Sequence, residues 1–184
     1  MAVYCGASTG NRQEYKDATI ELAQWLVAND YELVYGGGGV GLMGLLGRSV
    51  INAGGVVHGI MPKELFDRGA ALEWITDLKI VENMDVRKKM MMTESDGCIA
   101  LPGGPGTLEE ISQAFSWARI GDNSTPSALL NVDGYYDPLQ TMFDQMTEKE
   151  FLTRDDRNKL LFSDSLEEIK QFMENYQAPD IRTY

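Results

Sequence analysis

The chain has 184 residues, enough for one domain with a sizeable core and too few for two full-sized ones. With 43% hydrophobic and 24% charged residues, its makeup is that of a globular protein rather than a disordered one. Sixteen Lys and Arg against 28 Asp and Glu leave a net charge of −12. Such a field repels nucleic acid and anionic membranes, so neither is an expected partner, and a phosphate-bearing ligand needs a local exception.

In chain order, the pattern predicts a strand at Ala2–Cys5, a helix at Gln13–Asn29, a strand at Glu32–Tyr35 and a helix at Leu42–Ala53. Strands at Val56–Ile60 and Leu78–Val81 follow, then a helix at Asp85–Glu94, a strand at Cys98–Leu101 and a helix at Leu108–Ile120. A strand at Ala128–Val132 and helices at Pro138–Glu148 and Ser165–Tyr176 complete the set, the last carrying Leu166, Ile169, Phe172 and Met173 at helical spacing. The loop Pro62–Glu73 has no clear pattern. Alternating strands and helices argue for an α/β fold with a parallel sheet wrapped on both faces. Continuous apolar runs such as Cys98-Ile99-Ala100-Leu101 fit strands covered on both sides. One domain is expected over residues 1–176, and the tail Gln177–Tyr184, with Pro179 and few apolar residues, is expected to fray.

No apolar run approaches the roughly 20 residues needed to span a bilayer. The opening Met1-Ala2-Val3-Tyr4-Cys5 has neither a basic region nor a cleavage-like segment, so a cytoplasmic location is expected. Cys5 and Cys98 belong to no Cys-x-x-Cys pair and read as small buried hydrophobes. The single histidine, His58, leaves no thiol or imidazole cluster for zinc and no Gly-x-Ser-x-Gly elbow to serve, so neither a metal site nor a Ser-His-Asp hydrolase is expected.

Chemistry is sought at the carboxyl ends of parallel strands. Three predicted loops there are rich in small residues: Gly6–Gly10, Gly36–Gly44 and Pro102–Thr107. Glycine lets backbone N–H groups approach an anion, and a helix N-terminus adds unpaired donors, so the three together suggest a phosphate or nucleotide cradle. Gly39-x-Gly41-x-x-Gly44 matches the dinucleotide fingerprint, yet it follows the second strand, and Val56–Ile60 ends without an acid for a ribose hydroxyl. Tight helix–sheet packing and phosphate or sugar contact both remain open for that loop.

The third loop carries the more specific pattern, Pro102-Gly103-Gly104-Pro105-Gly106-Thr107-Leu108-Glu109-Glu110, preceded by Met84-Asp85-Val86-Arg87-Lys88 and followed by Leu130-Asn131-Val132-Asp133-Gly134-Tyr135-Tyr136. With Val34–Gly38 and Gly41-Leu42-Met43-Gly44, these motifs resemble the LONELY GUY family of cytokinin riboside 5′-monophosphate phosphoribohydrolases, often mislabelled lysine decarboxylases. The resemblance runs from about Val3 to Tyr176. It implies a Rossmann-like doubly wound fold, no redox cofactor or metal, a dimer with the active site near the subunit interface, and a nucleoside 5′-monophosphate as substrate. The implied reaction hydrolyses the N-glycosidic bond of AMP or an N⁶-prenylated AMP to free base and ribose 5-phosphate. Arg87 and Glu110 are implied as catalytic. Substrate contacts are implied at Gly6, Ser8, Gly37, Gly38, Met84, Lys88, Gly103, Gly104, Pro105, Gly106, Thr107 and Glu109.

Chemical reasoning fits that reading. Cleavage builds oxocarbenium charge at the sugar, which a carboxylate can stabilise while it positions or deprotonates water. Arg87 and Lys88 supply positive charge for phosphate in an acidic protein. Alternatives stay open at several residues. Thr107-x-x-Glu110 is also a capping box, which would tie Glu110 to the helix start, and Glu109 then becomes the acid at the sugar or water. An acid at a helix N-terminus is expected to be held ionised. Arg87-Lys88-Lys89 also reads as a solvated helix face, and Met84, Met90, Met91 and Met92 as core or subunit contact. Trp25, Trp74 and Trp117 read as packing, with Trp117 also a candidate wall for the base. After Arg68 the acid found in many relatives is missing, and Pro105 stands where plant members often have an aromatic residue, which bears on N⁶-side-chain preference. A non-catalytic carrier of nucleotide-like cofactors, such as a molybdenum-cofactor carrier, is the rival from another class. A pyridoxal-phosphate decarboxylase finds no supporting lysine motif.

Overall fold

The computed structural model describes residues 1–181, so the last three residues of the expected tail, Arg182–Tyr184, lie outside the described residues. The elements are β1 (Ala2–Tyr4), α1 (Gln13–Ala28), β2 (Leu33–Tyr35), α2 (Gly41–Asn52), β3 (Val57–Pro62), α3 (Lys63–Asp67), β4 (Asp77–Val81) and α4 (Met84–Thr93). They continue with β5 (Cys98–Ala100), α5 (Pro105–Ala118), β6 (Ser127–Leu130), α6 (Asp137–Glu148), α7 (Arg154–Arg157), β7 (Leu160–Ser163) and α8 (Leu166–Glu174). Among the described residues, seven parallel strands form one sheet in the order β4-β3-β2-β1-β5-β6-β7. The order reverses between β1 and β5, which opens a crevice beyond their carboxyl ends, the usual ligand position in such sheets.

Side chains alternate faces along each strand, and this alternation builds two cores. Val3, Leu33, Tyr35, Ile99 and Leu101 pack with Leu22 and Leu26 of α1, Leu42 and Leu46 of α2 and Ile169 of α8. Their neighbours Ala2, Tyr4, Val34, Cys98 and Ala100 face the other way, onto Met91 of α4, Ile111 and Phe115 of α5 and Phe143 of α6. Because both faces are covered, the central strands carry no polar alternation. The Rossmann-like architecture expected from the sequence is the one observed. Cys5 and Cys98 are free thiols buried within the two cores, and Cys98 Sγ also lies 3.6 Å from the Tyr4 hydroxyl. No helix among the described residues is long and apolar enough to cross a membrane.

The six predicted strands are present with ends shifted by one or two residues, and β7 is an addition. Its four residues, Leu160-Leu161-Phe162-Ser163, pair with β6 at the sheet edge, too short a run to stand out between a one-turn helix and a cap. The loop Pro62–Glu73 contains α3 and a single bridge from Ala71 to Gly38. The most consequential shift is at α5, which starts at Pro105 rather than Leu108, with Gly104 as its N-cap. Proline at the first helical position has no N–H to lose and a pre-set φ. Thr107 therefore lies inside the helix, and the alternative capping box with Glu110 does not form.

The second glycine loop holds the first in place. At the start of α2, the N–H groups of Leu42 and Met43 donate to the carbonyl of Gly6, at 3.0 and 3.3 Å. This approach needs Gly41, whose φ is +61° and whose added Cβ would lie 2.2 Å from the Ala7 carbonyl carbon. Gly54, at φ +85° beyond the end of α2, meets nothing within 4 Å. Gly41→Ala is expected to cost about 3 kcal/mol in urea unfolding, where backbone strain and a clash combine, against about 1 kcal/mol for Gly54→Ala, where only the dihedral is penalised. Equal losses would mean that close contact with the β1–α1 loop contributes nothing.

Candidate active site

Two adjoining hollows open in the crevice between β1 and β5, and Gly6, Ala7 and Gly104 border both. The first, of about 300 Å³, is floored by Arg87 of α4 and Glu110 of α5, with Cys5, Met43 and Met84 on its walls and Gly104–Thr107 along one side. The second, of about 430 Å³, lies against Ser8, Tyr15, Pro102, Gly103 and Tyr135. A larger trough of about 670 Å³ runs beside Arg119 and the chain segment Gln177–Ile181, beyond the other end of α5 and about 20 Å along that helix from Pro105.

Arg87 Nη2 lies 3.1 Å from Glu110 Oε1, and both side chains are only about a tenth exposed (9% and 10%). The helix start places this pair. Asn83 caps α4 by accepting from the Val86 N–H, which sets the turn from which Arg87 reaches inward. Gly36, at the end of β2, makes room for the guanidinium: a Cβ there would sit 2.0 Å from Arg87 Nη2. Arg87 Nη1 lies 3.4 Å from Met84 Sδ, while its buried Nε has no partner among the described residues. The solvated-face reading of this segment is thus corrected, since Arg87 and Lys88 are buried and only Lys89 is exposed.

Burial pushes the Glu110 carboxyl above its ordinary range, opposed by the Arg87 guanidinium and reinforced by the Glu109 charge. The expectation of an acid simply held ionised by a helix start is corrected: Glu110 stands in the second turn of α5, past the unpaired N–H groups, and desolvation outweighs them. Glu109 points elsewhere. It is mostly exposed and accepts from Lys88 Nζ at 2.6 Å, with Asp85 Oδ1 at 3.5 Å from the same amine. This hydrogen bond, ahead of the opposing burial, raises the Lys88 pKa. The two adjacent acids therefore do separate work, each with its own cation.

Of the residues expected at the site, Met84, Arg87, Lys88, Pro105, Gly106, Thr107, Glu109 and Glu110 border the first hollow, Ser8 and Gly103 the second, and Gly6 and Gly104 both. Gly37 and Gly38 border neither. Gly37 accepts from the Leu72 N–H and Gly38 bridges to Ala71, so this loop is structural framing. Trp117, the candidate base wall, packs instead against the core on the α5 face. The Arg68 segment is also absent from the hollows, with Arg68 paired to Glu64 on α3. Tyr15, Leu42 and Met43 border the hollows unforeseen. Nothing local marks Tyr15, on the first turn of α1, as more than a core aromatic. Cys5 lies at the base of the first hollow, but full burial pushes its thiol far up, which keeps it protonated and unreactive.

Comparison with known proteins identifies the family and the fold. A family model described as possible lysine decarboxylase matches residues 43–173. The chain is 43% identical over 176 residues to the cytokinin riboside 5′-monophosphate phosphoribohydrolase LOG1 of Arabidopsis thaliana, covering 96% of this chain and 83% of that protein. It is equally 43% identical to the probable cytokinin riboside 5′-monophosphate phosphoribohydrolase LOGL6 of Oryza sativa subsp. japonica, over 96% of this chain and 70% of the relative. Among solved structures, the molybdenum cofactor carrier protein of Chlamydomonas reinhardtii superposes with a TM-score of 0.71 at 16% identity, over 95% of this chain and 97% of that one. The molybdenum cofactor binding protein of Rippkaea orientalis gives 0.68 at 19%, over 94% of both. Those likenesses establish the fold alone. The chain belongs to the family of cytokinin riboside 5′-monophosphate phosphoribohydrolases.

A raised carboxyl pKa has a defined effect on stability. The folded chain binds the Glu110 proton more tightly than the unfolded one. The associated stabilisation is complete below the ordinary value of 4.5 and is lost as pH rises through the raised folded value. The difference in unfolding free energy between the wild type and Glu110→Gln is expected to fall with increasing pH across that window. The opposite slope would mean that Arg87 outweighs burial. Arg87→Leu, which strands the carboxylate, is expected to cost about 3 kcal/mol at pH 7 and less in acid.

Proposed function

We propose that this member of the phosphoribohydrolase family hydrolyses the N-glycosidic bond of nucleoside 5′-monophosphates with an adenine-type base, AMP or N⁶-substituted AMP, to free base and ribose 5-phosphate. One observation carries the reading: the buried Arg87–Glu110 pair and the unpaired N–H groups at the start of α5 open into the same hollow. A carrier requires an anion cradle but no carboxylate buried beside it.

In the proposed reaction the phosphate rests against the N–H groups of Gly104, Gly106 and Thr107, which the helix start leaves without intrahelical acceptors. The sugar then extends toward Glu110. As the bond from C1′ to the base nitrogen lengthens, the nitrogen takes the electron pair and the sugar gains oxocarbenium character. Water adds its oxygen to C1′, Glu110 accepts the water proton, and the departing base is protonated from solvent. Burial makes Glu110 a stronger base than a solvated carboxylate, while Arg87 stabilises its ionised form at neutral pH. This combination suits an acid that must both stabilise positive charge and accept a proton. Met84 and Met43, soft apolar side chains on the wall of the same hollow, suit contact with the base.

Incubation with AMP or isopentenyladenosine monophosphate, followed by chromatography for free base, tests the reading. Glu110→Gln is expected to lower kcat by about 10³-fold, the range for a lost general base, while ribose 5-phosphate still binds. Glu109→Gln is expected to change kcat by less than about tenfold, since the Glu109 side chain is mostly exposed and pairs with Lys88 rather than Arg87. Tight nucleotide binding without base release would favour the carrier instead. For kcat/KM, which reads the free enzyme, the acid limb of the pH profile is expected above the ordinary Glu value, and a limb at or below 4.5 would remove Glu110 as the base.

A further inference from the structure

The turn joining β5 to α5 is anchored through its carbonyl oxygens. The Tyr136 hydroxyl donates to the Leu101 carbonyl at 2.7 Å, the Gly6 N–H to that of Pro102 at 3.2 Å, and the Tyr135 hydroxyl to that of Gly103. Three successive acceptors are thus taken from outside the turn. Its donors are the reverse case: among the described residues, the N–H groups of Gly103, Gly104, Gly106 and Thr107 have no acceptor. A peptide unit whose carbonyl is tied on one side presents its N–H on the other. The orientation of the Gly103–Gly104 peptide, and with it the aim of the Gly104 N–H, is therefore set by the Tyr135 hydroxyl.

Tyr135 is itself held from its own loop. Asp133 and Gly134 before it adopt left-handed backbone, at φ +53° and +69°, and Asp133 pairs with Arg12 at the start of α1. The ring meets Tyr15 edge-on at 5.8 Å and Tyr136 at 5.0 Å. The Tyr136 N–H is anchored by the Asn131 side chain at 2.6 Å. Tyr135 thus links three elements, the first turn of α1, the β6–α6 loop and the β5–α5 turn. It touches neither Arg87 nor Glu110.

We infer that Tyr135 is a positioning residue for anion recognition, acting through the Gly103 carbonyl to hold the Pro102–Thr107 turn with its N–H groups facing the phosphate. This rests on the reading that the turn receives a phosphate, and it extends that reading to a residue outside the cradle. Its consequence is a separation of effects, with binding of the phosphorylated sugar sensitive to the hydroxyl and the bond-breaking step indifferent to it.

The test is Tyr135→Phe, which keeps the ring contacts and removes only the donor, with ribose 5-phosphate as a titrated ligand and AMP as substrate. The Kd for ribose 5-phosphate and the KM for AMP are expected to rise about fivefold, the effect of one neutral hydrogen bond, with kcat within twofold and the melting temperature unchanged. A Kd equal to that of the wild type overturns the inference, as does a fall in kcat at constant KM. Failure of wild type to bind ribose 5-phosphate also overturns it, because no anion site would then exist to position. Absence of base release from AMP refutes the hydrolase reading alone, since the titration reads the turn without turnover.

Discussion

The ion pair between Arg87 and Glu110 is the constraint around which the crevice is arranged. It joins α4 to α5 across the point where the strand order reverses, and it does so in a nearly dry place. Such a pair is a poor source of stability, because desolvating two charges consumes most of what their attraction returns. Its value lies in specification. Gly36 has to lack a side chain so that the guanidinium can pass, and Asn83 has to cap α4 so that Arg87 starts from the right turn. Burial of Glu110 then raises its basicity, and the partner keeps the charged form accessible. The same dry environment that makes the pair costly makes the acid chemically useful.

Around that pair the glycine-rich loops divide the labour by geometry rather than by composition. All three follow strands and look alike as strings, yet the glycines of only two border the crevice, and the second reaches it only through Leu42 and Met43 at the start of α2. The loop after β2 works from behind: α2 begins by donating N–H groups to Gly6, and Gly37 and Gly38 brace the segment before β4. The first loop is thereby pressed against the third, where a Cβ on Gly6 would lie 3.4 Å from Gly103 Cα. Glycine here is a requirement of close backbone approach, and a ligand-contacting glycine cannot be told from a bracing one by spacing alone.

The fold was largely legible in the sequence because its strongest signals are local. Buried parallel strands produce unbroken apolar runs, and the amphipathic helices between them repeat at helical spacing, so Cys98–Ala100 and Ala2–Tyr4 announce themselves. β7 did not, since four residues after a one-turn helix carry too little pattern. The buried ion pair is a different case. Arg87 and Glu110 belong to separate helices, and no local rule joins them. Family resemblance brought them together, while local reasoning left a capping role open for Glu110. That alternative arose from the helix boundary: Gly104-Pro105-Gly106 reads as loop, yet proline at the first helical position starts α5 three residues early and moves Thr107 inside. Tyr15 was illegible for a related reason, since its part in the second hollow depends on where α1 lies against the β6–α6 loop.

The charge balance of the crevice alters how an acidic protein can attract a phosphate. With a net charge of −12, the chain invites the expectation that Arg87 and Lys88 form a basic patch. Each instead has a carboxylate partner, Glu110 and Glu109 respectively, so these four side chains sum to zero. Attraction for an anion then falls to neutral groups, the backbone N–H donors at the start of α5 and the positive end of its dipole. Neutral donors act over short range and depend on aim, whereas a basic patch acts over a Debye length and tolerates misalignment. A cradle of this kind works only if its backbone is fixed in advance. The carbonyls of Leu101, Pro102 and Gly103 are each tied by a donor from another segment, and this fixes the backbone before any ligand arrives. With aim supplied by the turn, Arg87 is left to its carboxylate, and the positive charge that an anion would otherwise draw away stays beside Glu110.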